Sequence, residues 1–192
     1  MKKDRLFGMS PVKKSMICAV CIALCVVLPQ LFHAIPNAGS IYSPIHIPVL
    51  LCGLVCGWQY GLLCGSFGVL FGSLITSMPP VSYMPPMLLE CAVYGLLAGL
   101  LLRFIRTKHL YLDLYLSLIP AMLGGRLAAG AFKILIFARG TFTWRMWAAG
   151  YFVTGLPGII IHLILVPALV AALIASRLIP SRYPRKGSGK NL

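Results

Sequence analysis

The stretch MPPMLLECAVYGLLAGLLL, Met84–Leu102, decides the fold. Its 19 residues carry a single charged side chain, Glu90. About 20 consecutive apolar residues are what a helix needs to cross a bilayer core. A soluble helix shows one polar face, and this stretch shows none. It reads as a membrane span with one carboxylate inside it. Such a carboxylate is costly enough to mark a functional site by default. Tyr94 follows Glu90 by four residues, on the same helix face.

The rest of the chain agrees. Of its 192 residues, 59% are hydrophobic and 10% charged, with a mean hydropathy of +0.91. Soluble domains average about 45–50% apolar and about 25% charged residues. Soluble enzymes, disordered tails and disulfide-rich secreted folds are excluded. The length suits one domain, 1–182, followed by a basic cytoplasmic tail, 183–192.

Six spans are expected, giving an all-α six-helix transmembrane bundle: Ser15–Phe32, Ile47–Gly57, Tyr60–Thr76, Met84–Leu102, Leu110–Phe137 and Gly150–Leu178. The second is short, and only Gly57–Gly61 divides it from the third, so the two read as a tight hairpin or a re-entrant pair. Pro157 and Pro167 are expected to bend the sixth. Lys13 and Lys14 before the first span resemble a signal-peptide start, but no small-residue cleavage site follows, so the segment reads as a helix.

The net charge of +14 comes from 17 Lys+Arg against 3 Asp+Glu. The cations flank the apolar runs and do not cover one solvated face, which excludes a nucleic-acid-binding domain. Thirteen of the 17 fall before the first span, between the fourth and fifth, or after the sixth. The loops at 36–46 and 77–83 carry none. By the positive-inside rule both termini are cytoplasmic; a prokaryotic plasma membrane is the expected location. Trp144 and Trp147 read as an outer aromatic belt. All seven cysteines lie in or beside apolar runs and read as packing, with no His or fourth thiolate beside Cys18, Cys21 and Cys25 to complete a metal site. No cofactor is expected.

Glu90, Arg126 and Lys133 lie inside expected spans, in the outer half of the bilayer. Arg126, Gly130 and Lys133 recur at i, i+4 and i+7 along one face. With Tyr94, and with His46 at the outer mouth of the second span, they are the candidate ligand-binding residues. Their charges sum to +1, which suits a small hydroxylated monoanion or zwitterion entering from outside. The alternative is a structural Glu90–Arg126 pair with Lys133 reaching for lipid headgroups. Gly61, Gly65, Gly68 and Gly72, then Gly124, Gly125, Ala128 and Ala129, then Ala19 and Ala23, form small-residue steps for close helix approach. Two rival functions remain open: an intramembrane serine hydrolase using Ser66 and His162, and a membrane subunit that binds no ligand. No catalytic motif or phosphate-binding loop stands out, and an enzyme is not expected.

The segments Pro44–Gly53, Gly72–Pro80, Glu90–Gly95 and Met122–Arg126 carry a family resemblance. The chain resembles the substrate-binding S component of energy-coupling-factor (ECF) vitamin transporters over most of its length. The resemblance implies capture of a water-soluble vitamin from outside and release inward after docking on a transmembrane coupling protein powered by two ATPase subunits. It also implies that Ala19 and Ala23 match the family's docking motif. The charge count favours pantothenate as cargo, while pyridoxine-like, pyrimidine-precursor or cobalamin-type cargo fits the fold equally.

Overall fold

A computed structural model describes residues 8–32, 38–137, 140 and 143–183. The basic residues Lys2, Lys3 and Arg5, and Arg185, Lys186 and Lys190 of the expected tail, lie outside the described residues. The described elements are helical: α1 (Pro11–Leu31), α2 (Ala38–Tyr42), α3 (His46–Cys56), α4 (Trp58–Thr76), α5 (Met84–Phe104), α6 (Leu110–Phe132), α7 (Trp144–Ala148) and α8 (Leu156–Ala175). Two π-helical segments, Lys133–Phe137 and Ala149–Thr154, follow α6 and α7. The 38–42 and 144–148 helices were not anticipated.

Five of the apolar helices are long enough to cross a membrane. The sixth, α3, has 11 residues, so it is about 16 Å long against a hydrocarbon core of about 30 Å. Nine of its residues are buried, including Val49, Leu50, Leu54 and Val55. Irregular backbone at membrane depth is tolerated where protein covers it, and α3 packs against α1, α4, α5 and α8. Gly57 turns the chain straight into α4 with φ 99°, a conformation that favours glycine. The outcome is a tight α3–α4 hairpin whose first arm is interior.

Several limits shift for physical reasons. Helix α1 starts at Pro11, four residues before the expected Ser15, because Ser10 caps it by accepting from the Lys13 N–H at 3.3 Å. Pro157 does not bend a span. It sits in the first turn of α8, where its missing N–H costs nothing, and Gly150–Gly155 falls outside that helix. Pro167 does lie inside α8.

Glycine permits the tightest contacts in the bundle. A Cβ added at Gly53, Gly61 or Gly95 would strike the backbone of another member of the trio, which joins α3, α4 and α5. Gly65 meets the Cys91 carbonyl in the same way. Small-residue steps at membrane interfaces work by this close approach. All seven cysteines are buried, and several donate to carbonyls: Cys18 and Cys52 both reach Tyr60 O at 3.5 Å.

One end of the bundle gathers the start of α1, the α3–α4 turn, the 105–109 loop and the C-terminal segment. Tyr60 Oη donates to Pro11 O at 3.5 Å, and Gly99 abuts Gly57 and Trp58. At this end Asp113 is fully buried. Its Oδ1 accepts from the Thr107 N–H and hydroxyl, each at 2.7 Å, and its Oδ2 accepts from Tyr183 Oη at 2.5 Å. Arg182 stands 3.6 Å from Asp113 and donates to Ile105 O at 2.7 Å. Burial and the bond to Asp113 push the Tyr183 hydroxyl above its ordinary pKa, so it remains a donor. This bond ties Tyr183, the first residue of the expected tail, to α6.

The Gly53–Gly61–Gly95 contact generates a stability prediction. Gly95→Ala sets a methyl against backbone that has no rotamer to yield, an overpacking of about 1–3 kcal/mol or more. Thermal unfolding in detergent should show a clear loss for Gly95→Ala. It should show little change for Gly150→Ala, whose added Cβ meets open space.

Candidate ligand-binding site

The opposite end of the bundle holds a buried polar cluster. Glu90 from α5 and Arg126 from α6 are 5% and 3% exposed, and Tyr94 between them is fully buried. Tyr94 Oη donates to Glu90 Oε1 at 2.8 Å and accepts from Arg126 Nε at 2.9 Å. The phenol thus relays a hydrogen bond from the cation to the carboxylate. Each buried charge gains a partner, without which it would cost several kcal/mol. Glycine makes the arrangement possible, since a Cβ at Gly125 would collide with the Tyr94 ring.

The segment after α6 wraps Arg126. Its Nη1 donates to the Tyr151 carbonyl, and its guanidinium lies 5.7 Å from the Phe152 ring centroid. The Trp147 indole N–H donates to the Arg126 carbonyl at 3.1 Å. Trp147 therefore turns inward and does not serve as a belt residue, whereas Trp144 is half exposed beside it, 5.4 Å between ring centroids. The Tyr151 side chain also stands against the Glu90 carboxylate.

Two histidines complete the cluster. His46, at the start of α3, sets its ring edge-on to Tyr94 with centroids 4.8 Å apart. His162 of α8 lies 5.6 Å from His46, ring to ring, and its Nε2 is 3.2 Å from the Ser43 carbonyl. Both rings are buried.

The structure thus brings together four of the expected residues: Glu90, Tyr94, Arg126 and His46. Gly130 serves the cluster indirectly, because Trp147 packs where its Cβ would stand. Lys133 holds its ammonium 4.9 Å from the Tyr83 ring centroid, at the point where α6 gives way to a π-helical turn. The Lys133 N–H still bonds the Ala129 carbonyl, so the helical face of Arg126, Gly130 and Lys133 runs to the end of α6 and the π-helical turn begins there. The sequence reading placed Trp147 in an outer belt, did not single out Tyr151 or Phe152, and offered His162 only as a hydrolase partner of Ser66. The described hydrogen bond of His162 goes to Ser43, with none to Ser66. A signal for His162 was available: it is the one ionisable residue in the most apolar span, and such residues are functional candidates by default.

On the far side of α1, Ala19 and Ala23 are exposed, together with Val12, Met16, Val20 and Val27. Cys18, Cys21 and Cys25 occupy the inward face. The docking candidates therefore sit on an outward apolar stripe whose centre is shallow.

These features define a multi-pass helical membrane protein with a compensated polar cluster buried near one end. The family described as "ECF transporter, substrate-specific component" matches residues 13–170, and the chain belongs to it. Comparisons with curated proteins and with solved structures gave no significant match. Members of this family bind a substrate for transport and are not enzymes.

The two glycines beside the cluster should separate on substitution. Gly125→Ala confronts the buried Tyr94 ring, while Gly124→Ala meets only the end of the Leu97 side chain. We expect Gly125→Ala to lower thermal stability and weaken ligand binding together. Gly124→Ala should leave both near the parent values in the same titration.

Proposed function

We propose that the chain captures a small water-soluble vitamin or vitamin precursor at the Glu90–Tyr94–Arg126 cluster and hands it inward through an ATP-driven importer. One observation carries the reading: ionised groups from two spans, with histidines from two more helices, meet inside an otherwise apolar bundle. A purely structural subunit gains little from so costly a cluster, since a well-packed apolar core is often at least as stable as a buried ion pair. The cluster lies at the end away from the Asp113–Arg182 contact, where the flanking cations concentrate. The positive-inside rule then sets the cluster toward the outside and both termini in the cytoplasm.

The proposed partners are a transmembrane coupling protein and two ATPase subunits. Ala19 and Ala23 supply the contact, because small side chains let a partner helix approach the α1 backbone. Lipid covers this stripe until the partner displaces it. Glu90, Tyr94, Arg126 and His46 form the ligand-facing set, with Gly130 admitting Trp147 and Lys133 standing at the rim beside Tyr83.

The geometry changes the argument for cargo charge. Arg126 is engaged by Tyr94 and by the Tyr151 carbonyl, and Glu90 is joined to it through one phenol. The surplus positive charge that favoured pantothenate then rests on Lys133 alone. Pantothenate stays within the proposed class through its hydroxyl groups more than through its carboxylate.

Docking and binding should be separable. Ala19→Leu and Ala23→Leu should abolish uptake in cells that co-express the coupling protein and ATPases. The purified variants should retain ligand affinity within about twofold, since both side chains point away from the cluster. Full uptake in both variants would remove α1 as the docking face.

A further inference from the structure

We infer that His46 and His162 form a paired recognition element for the cargo, which presents a hydrogen-bond donor, a hydroxyl or ring N–H, to Nδ1 of His162. The inference rests on the binding-subunit reading above and specifies what that subunit grips.

The chemistry starts with Ser43. Its carbonyl oxygen, 3.2 Å from His162 Nε2, can only accept, so Nε2 carries the ring proton. In a neutral imidazole the other nitrogen is then an acceptor. That atom, Nδ1, is buried without a hydrogen-bond partner among the described residues, and so is Nδ1 of His46. Buried polar side-chain atoms in folded proteins are overwhelmingly partnered. Here two unpartnered imidazole nitrogens come from rings 5.6 Å apart, and one of those rings lies against Tyr94. The rings arrive on α3 and α8, helices far apart in sequence that meet at this end of the bundle.

The polarity of the pair restricts the ligand. A carboxylate or phosphate oxygen would set lone pair against lone pair at His162 Nδ1. A hydroxyl or ring N–H satisfies it. The neighbouring charges do not reverse this preference, because Tyr94 already takes a hydrogen bond from Arg126 and gives one to Glu90. Among the described residues no group of three His, Cys, Asp or Glu side chains is suited to a metal ion, so two imidazoles alone fall short of a metal site.

Two variants isolate the proposed role from a structural one. His162→Gln carries an amide N–H that can replace the bond to Ser43, but nothing at the Nδ1 position. His46→Phe keeps the edge-on ring against Tyr94 and removes both nitrogens. The probe is the small molecule released by methanol from the detergent-purified full-length chain, identified by accurate mass and then titrated back. The expected result is a molecule bearing hydroxyl or N–H groups, bound roughly ten- to a hundredfold more weakly by each variant, as loss of a buried hydrogen bond implies. Unchanged affinity in either folded variant overturns the paired element while leaving the binding-subunit reading intact. A released molecule with no hydrogen-bond donor does the same. A wild-type chain that is folded yet releases nothing counts against the binding-subunit reading itself, and the inference falls with it.

Discussion

A single phenol, Tyr94, holds the two buried charges at one end of the bundle in register. Glu90 and Arg126 lie on neighbouring helices inside an apolar bundle, and Tyr94 joins them by accepting from one and donating to the other. Charges in such surroundings are tolerated only when partnered. The geometry of that relay then sets demands on the helices around it. Gly125 must lack a side chain so that the Tyr94 ring fits beside α6, and the chain after α6 must fold back so that Tyr151 and Trp147 can bond Arg126.

Glycine sets the distances on which this depends. The Gly53–Gly61–Gly95 contact brings α3, α4 and α5 together at backbone separation. It holds the short α3 inside the bundle and thereby places His46, at its start, against Tyr94. A half-length helix would be unstable facing lipid, where unpaired backbone groups find no water. Enclosed by four longer helices, it carries a polar side chain into the interior. At the other end the Asp113, Thr107, Tyr183 and Arg182 contacts tie the C-terminal segment to the 105–109 loop, so the two buried acids with described partners stabilise opposite ends.

Much of this was legible in the sequence. Hydropathy located the spans because a bilayer core demands long apolar runs, and the cost of burying charge pointed to Glu90 and Arg126. The i, i+4 spacing placed Tyr94 beside Glu90, and the glycine steps in Tyr60–Thr76 marked a close interface. The remainder depended on tertiary contacts. Tyr94 as a bridge required knowing that α5 and α6 are neighbours. The bond from His162 to Ser43 spans 119 residues. The inward turn of Trp147 depends on the absence of a Cβ at Gly130. Lys133 keeps its place at the end of α6, but its contact with the Tyr83 ring depends on how the segment before α5 packs. Family membership supplies the transport role, while the cargo's chemistry has to be read from the cluster.

Native mass spectrometry of the full-length chain released from detergent micelles would show whether the Tyr94 relay holds a ligand. The expected result is a one-to-one complex with a small polar molecule, and loss of that molecule in Tyr94→Phe, which breaks the relay but preserves the ring. A folded chain that carries no small molecule, or one that Tyr94→Phe retains in full, would contradict it.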